Sequence, residues 1–401
     1  MKNILTLLLA LMFSGIISGQ QTIDYLFKAK AFTKAGKPEL AIDLLNGVLT
    51  GNQTDFRLYI NRAEAKMIKG DYSGSISDLN NANSISPSSG EFGLARIYAL
   101  KGDAATAVYH LELNLNSAFR KSEKEIMLDP CFSAIDNKPE WRQLLKKDLY
   151  TIYESGISEI EYSISKGSID EAKSVLNELK TNYPGNNSTL YAEALINFSS
   201  GKFSEAIKTL TALTASEPGN EKYLRLMAKA QGGVGNQAGA SDIYTRLLNM
   251  EVEDADLLIY RAESYRKTGE TDKALGDLKR YLDIYPEDKK ALSLAGRVEA
   301  ASGDNLKALD YFSQNIKLHP GDPGSYIDRA NSYFVSKSWD WAINDYSMSL
   351  DLEPENSDTW LNKGIALLNS GKNEDACHDF RRSLNLGNKR ASEYISKNCI
   401  K

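Results

Sequence analysis

The 401 residues are 42% hydrophobic and 25% charged, ordinary proportions for a folded chain, and enough for two or three compact domains or one extended array. Against 53 Asp and Glu stand 48 Lys and Arg, a formal net charge of −5 with the signs well mixed. That balance supplies no field to attract a phosphate backbone, so nucleic acid is not an expected partner, and no charge run reads as a binding tail.

The chain begins with Met1, Lys2 and Asn3, then an apolar stretch from Ile4 to Ile17. This is shorter than the roughly 20 residues of a membrane-spanning helix. Ile17-Ser18-Gly19 then places small residues before Gln20. Residues 1–19 are expected to be a secretory signal peptide cut after Gly19. No Cys stands beside the cut to accept a lipid, and no later segment is apolar and long enough to cross a bilayer. The protein is therefore expected to be exported, to the periplasm or cell surface of a Gram-negative bacterium.

From Gly36 the chain repeats itself. Gly36, Gly70 and Gly102 are followed five residues on by Ala41, Ser75 and Ala107. After an irregular stretch, Gly167, Gly201, Gly235, Gly269 and Gly303 lie 34 residues apart, with Lys337 and Gly371 on the next two points. Five residues beyond each of these stand Ala172, Ala206, Ala240, Ala274, Ala308, Ala342 and Ala376. Pro87, Pro184, Pro218, Pro286, Pro320 and Pro354 mark a third position, where Val252 and Asn388 replace Pro in two units.

Each marker has a mechanical meaning. Gly closes a first helix in a left-handed conformation, Ala lets a second helix approach the first, and Pro stops the second. One unit is thus a helical hairpin, whose apolar face is covered only by its neighbours.

Within a unit, Tyr326, Ala330, Tyr333, Trp339, Ala342, Tyr346 and Pro354 form a pattern that resembles the tetratricopeptide repeat; Trp360, Gly364, Gly371, Ala376 and Phe380 match it again. The resemblance implies an all-α, right-handed superhelical solenoid of about ten antiparallel hairpins. It divides residues 20–117 (three repeats) from 151–388 (seven repeats), with a connector at 118–150 and a capping helix at 389–401. In the connector, Pro130 and Pro139 forbid one continuous helix, and short helices should pack Phe132, Ile135 and Trp141 against a neighbouring repeat.

Few residues suggest chemistry. His110, His319 and His378 lie in separate units without zinc spacing. Gly232-Gly233-Val234-Gly235 lacks the Lys-Ser or Lys-Thr of a phosphate loop. Asp170-Glu171 and Glu374-Asp375 begin second helices, where the dipole favours negative charge. No catalytic, cofactor-binding or metal residue is expected, and no cofactor.

In the family the groove lined by first helices commonly takes an extended or helical peptide. Its expected lining here is Tyr191, Leu195 and Phe198, then Arg225, Lys229, Glu263, Arg266, Lys290 and Arg297, then Ile327, Asn331, Phe334, Leu361, Ile365 and Leu368. Apolar residues on this stripe also touch the next repeat, so packing is the ordinary alternative. The fifth position of the units reads Leu26, Ile60, Phe92, Ile157, Tyr191, Arg225, Ile259, Ser293, Ile327 and Leu361. It contains no Lys to clamp a terminal carboxylate.

Three cysteines leave one without a partner. Cys131, between Pro130 and Phe132, reads as a buried core residue. Cys377 lies in the last second helix and Cys399 in a capping segment that must fold back on it. The run from Ala376 to Cys399 resembles the ends of other exported bacterial arrays, which implies a Cys377–Cys399 disulfide. The expected function is a non-enzymatic scaffold that binds other proteins of the cell envelope. Two alternatives are a glycan or peptidoglycan adaptor using Trp339, Trp341 and Trp360, and a regulatory subunit of an envelope enzyme complex.

Overall fold

The computed structural model describes residues 19–399; except for Gly19, the expected leader lies outside them. Among the described residues there is no strand. They fall into two compact units, one ending at Asp254 and one beginning at Ala255.

The first unit holds six hairpins. Three come first: Gly19–Lys34 with Pro38–Leu49, Phe56–Lys69 with Tyr72–Ile85, and Glu91–Leu100 with Ala104–Leu115. Short helices follow at Glu123–Met127 and Pro139–Leu144, flanking a 3-10 turn at Pro130–Ala134. Three more hairpins complete the unit: Ile152–Ser165 with Ile169–Asn182, Asn187–Ser199 with Phe203–Ser216, and Glu221–Gly233 with Gln237–Asn249.

The second unit holds hairpins seven to ten. They are Asp256–Thr268 with Thr271–Leu282, Lys289–Ser302 with Asn305–Leu318, Pro323–Val335 with Trp339–Leu352, and Ser357–Asn369 with Asn373–Asn385. The helix Ala391–Asn398 closes it. The division between units thus falls after the sixth hairpin, inside the stretch that the sequence reads as one seven-repeat block.

Each hairpin turns where the period places its glycine, and all nine of these glycines have positive φ. In hairpin nine Lys337 takes that conformation at φ 59°, strained for a residue with a Cβ. The Ala five residues beyond the turn is buried in every hairpin that has one, as is Ser75 in the second. A further close approach is made from the first helix. A Cβ on Gly296 or Gly364 would stand 2.4 and 2.6 Å from the rings of Phe312 and Phe380, both fully buried. At the far end of the second helices, Tyr183, Glu217, His319 and Glu353 each precede a Pro and leave the helical region at φ −142° to −128°.

A charged pair joins the two helices of four hairpins. Arg62 meets Asp78 at 2.7 Å, Arg261 meets Asp277 at 2.6 Å, Arg329 meets Asp345 at 2.7 Å and Lys363 meets Asp379 at 3.2 Å. Each cation stands eight residues before the turn residue and each Asp eight after it. The three arginines grip both carboxylate oxygens, the bidentate geometry that makes such pairs strong. Burial lifts the Asp379 carboxyl above its ordinary range, with Lys363 opposing.

The connector packs as its sequence suggests. Phe132, Ile135, Trp141 and Leu144 join Ala107, Leu111 and Leu115 of the third hairpin in one cluster, with Phe132 stacked on Trp141 at 5.0 Å. Cys131 is buried beside them.

At the other end Cys377 and Cys399 form a disulfide, their Cα atoms 5.5 Å apart. Tyr394 stacks on Phe380 at 5.0 Å, and Ile395 joins Leu361, Ile365 and Leu368 in the terminal cluster. The bridge closes a separation of 22 residues, for which the chain-entropy model gives about 3 kcal/mol.

Lys337 gives a direct check on the turn argument. Lys337→Gly should raise stability by about 0.5–1 kcal/mol, because it removes left-handed strain from a residue whose side chain is exposed. Urea unfolding should show a higher midpoint; a lower one would mean that the strain is smaller than the added freedom of the unfolded chain.

Candidate peptide-binding groove

The expected first-helix stripe is mostly occupied by packing. Tyr191 is 7% exposed and sits with Ala194, Leu210 and Tyr223 in one cluster, the two tyrosine rings 5.3 Å apart. Burial pushes its hydroxyl pKa upward. Leu195 and Phe198 lie partly buried on the same cluster, Phe198 5.4 Å from Phe203. Tyr191 is core, packed against Tyr223 of the sixth hairpin, while Leu195 and Phe198 stay partly exposed at the edge of that cluster.

The charged stretch is largely paired. Arg225 lies 2.7 Å from Glu221 and 2.6 Å from Asp254, whereas Lys229 is exposed. In the second unit Arg266 pairs with Glu263 at 2.8 Å, Lys290 is exposed, and Arg297 holds the buried Asp328 at 2.9 Å. Ile327 is half-buried. Asn331 accepts a hydrogen bond from the Tyr346 hydroxyl at 2.6 Å, and the Phe334 ring stands 5.1 Å from Trp339. Leu361 is wholly buried, with Ile365 and Leu368 packed beside it under the capping helix.

In hairpins two and three the same register faces a cavity instead of a neighbouring hairpin. Ile60 and Phe92 hold the position that Tyr191 holds in hairpin five. With Phe56, Met67 and Phe119 they line a cavity of about 410 Å³. After the third hairpin the chain leaves the period, and no regular hairpin follows at once to cover this face. The segment from Phe119 to Lys121 forms one wall instead. The buried Asn114 side chain holds it, donating to the Phe119 carbonyl at 2.9 Å and accepting from the Lys121 amide at 3.1 Å. Phe119 then meets Phe56 edge to face at 5.5 Å.

Charge is fixed around this apolar floor. The Arg96 guanidinium pairs with Glu64 and lies 2.8 Å from Asp129. It also stands 5.9 Å from the centre of the Phe92 ring, and the Lys121 ammonium stands 5.4 Å from it. Phe92 is thus half-buried with two cations close to its ring, a setting that favours an aromatic side chain. An apolar floor with a few oriented charges is suited to holding a ligand segment.

Groups for bond-making chemistry do not converge here. Burial pushes the Cys131 thiol up to about 11, which keeps it protonated and unreactive at neutral pH. His110 pairs with Glu91 at 2.6 Å, the His319 ring lies 2.8 Å from the Glu287 carbonyl, and His378 is exposed beside Asp379. Among the described residues, no three His, Cys, Asp or Glu side chains are placed to hold a metal. No described helix is long and apolar enough to cross a membrane.

A family model described as tetratricopeptide repeat matches residues 225–289 and 261–323. The chain thus carries tetratricopeptide repeats over this stretch. Its fold is similar to that of a tetratricopeptide repeat protein from Parabacteroides merdae, at TM-score 0.52 and 22% identity over 62% of this chain and 99% of that one. It is also similar to the C-terminal part of a tetratricopeptide repeat-containing protein from Cytophaga hutchinsonii, at TM-score 0.46 and 15% identity over 59% and 98% of the two chains. No curated protein sequence matches. Tetratricopeptide repeats generally mediate protein–protein interaction.

For such a protein the groove residues were half visible in the sequence. Ile60 and Phe92 stand in the fifth position of their repeats, as Tyr191 does. What the sequence hid is which points on the stripe a neighbour covers. Phe119 lies off the period, and nothing in the sequence marks it.

Tyr191 separates the packing and binding readings of the fifth repeat. Tyr191→Ala should destabilise the first unit by about 3 kcal/mol, as other large-to-small core changes do. The check is a lowered denaturation midpoint; an unchanged midpoint would return Tyr191 to the list of binding residues.

Proposed function

We propose that this chain is an exported, non-enzymatic scaffold of the bacterial cell envelope, and that it receives segments of partner proteins in the groove of its second and third repeats. The observation that carries this reading is the cavity of about 410 Å³ floored by Phe56, Ile60, Met67, Phe92 and Phe119 and flanked by Arg96 and Lys121. Its size falls in the range of ligand sites, roughly 300–1,000 Å³. An apolar groove along a helix stripe suits side chains spaced along a helix or an extended segment.

Two features support export. Residues 1–19 have the composition of a secretory leader. The Cys377–Cys399 disulfide belongs in an oxidising compartment.

A glycan-binding reading has one observation in its favour. Trp341 is 64% exposed and stacks with Tyr333 at 5.9 Å. The other two tryptophans named for it are engaged elsewhere: Trp339 packs with Ala330 and Tyr346, and the Trp360 indole donates to the Pro354 carbonyl at 2.8 Å.

Affinity capture from envelope extracts tests the groove. Ile60→Ala with Phe92→Ala should weaken retention of the captured protein by roughly thirtyfold, the effect of losing about 2 kcal/mol of buried contact. Unchanged capture by a double variant of native helicity would remove the groove from consideration. Retention on peptidoglycan that is lost with Trp341→Ala alone would favour the glycan reading.

A further inference from the structure

The loop that ends the sixth repeat departs from the period and reaches back to the first two repeats. Val252 stands where six other units have Pro, and Glu251 has φ 53°, a left-handed conformation for a residue with a Cβ. The carboxylates on either side of Val252 both find cations far away in sequence. Glu251 lies 2.6 Å from Arg57, and Glu253 lies 2.6 Å from Lys30. Asn61 donates to Glu253 at 3.2 Å. The backbone joins in, with Arg57 donating to the Glu251 carbonyl and Lys30 to the Glu253 carbonyl, each at 3.3 Å.

These contacts sit at the mouth of the groove. Glu253 itself lines the cavity beside Arg57 and Ile60. Asp55 fixes the Arg57 guanidinium from the other side at 2.6 Å, so the cation is already oriented toward the loop. At its far end Arg225 holds Asp254 at 2.6 Å, which ties the loop to its own repeat. The arrangement is therefore a strap anchored at one end, with two carboxylates set on the groove mouth.

We infer that residues 250–254 form a latch over the groove of repeats two and three, which Glu251 and Glu253 hold shut on Arg57, Lys30 and Asn61. A partner segment enters when the latch lifts. This rests on the groove being the binding site. The latch is poised because its parts oppose one another. Part-exposed ion pairs hold weakly and are screened by salt, and the left-handed Glu251 stores strain that opening releases. Closed and open states with a small free-energy gap respond to modest changes in either.

Labelling of a cysteine placed in the groove tests the latch without any partner. In the full chain carrying Ile60→Cys, an uncharged maleimide should react about tenfold faster when Glu251→Gln and Glu253→Gln are added, the shift expected from removing two such pairs. Buried Cys131 supplies the slow background rate. Equal rates in chains of equal helicity would overturn the latch. If the Gln variant fails to fold, the native loop decides alone. Raising salt from about 0.05 to about 0.5 M should then speed labelling by screening the pairs, and a salt-independent rate would overturn the proposal. Because no partner is present, a negative result here leaves the groove to be judged by the capture experiment.

Discussion

A single helical hairpin of this length cannot cover its own apolar face, and everything else in the structure follows from how that face is covered. Each hairpin has an inner seam of small residues, such as Ala274 and Ala308, that lets its two helices close. Beyond the seam stands an outer set, such as Tyr191 and Leu361, that must meet the next element. Stacking supplies that element in most places, the connector supplies it for the third hairpin, and the disulfide-tied helix supplies it for the tenth. Where cover is missing, between the second and third hairpins and the Phe119 segment, a groove remains.

This explains why the fold was legible in the sequence. Glycine at the turn, alanine five residues on and proline at the end are demands of the backbone and of close approach, so they repeat wherever a hairpin repeats. Lys337 shows how firm the demand is, since the turn forms there without glycine. The Arg or Lys and Asp pairs eight residues either side of the turn repeat too. They were readable in principle, but they occur in only four hairpins and were missed. Losing one partner of such a pair costs about 3–5 kcal/mol where the pair is buried.

The site was less legible, for the same physical reason. A residue on the stripe is core or surface according to what covers it, and a period cannot say which. Tyr191 and Phe92 occupy equivalent positions, yet the next hairpin buries Tyr191 while Phe92 faces a cavity. The contacts of Glu251 and Glu253 with Arg57 and Lys30 join residues about two hundred positions apart. Only the mixed signs of the chain hinted that such pairs would exist.

Partner segments are proposed to lie in the groove floored by Ile60 and Phe92. Site-specific photo-crosslinking in living cells tests it most directly, with a photoreactive residue at position 92 or, as a control, at the exposed Lys173 on a second helix. A crosslinked partner is expected from position 92 and none from position 173. Crosslinks from position 173 with none from position 92 would contradict it.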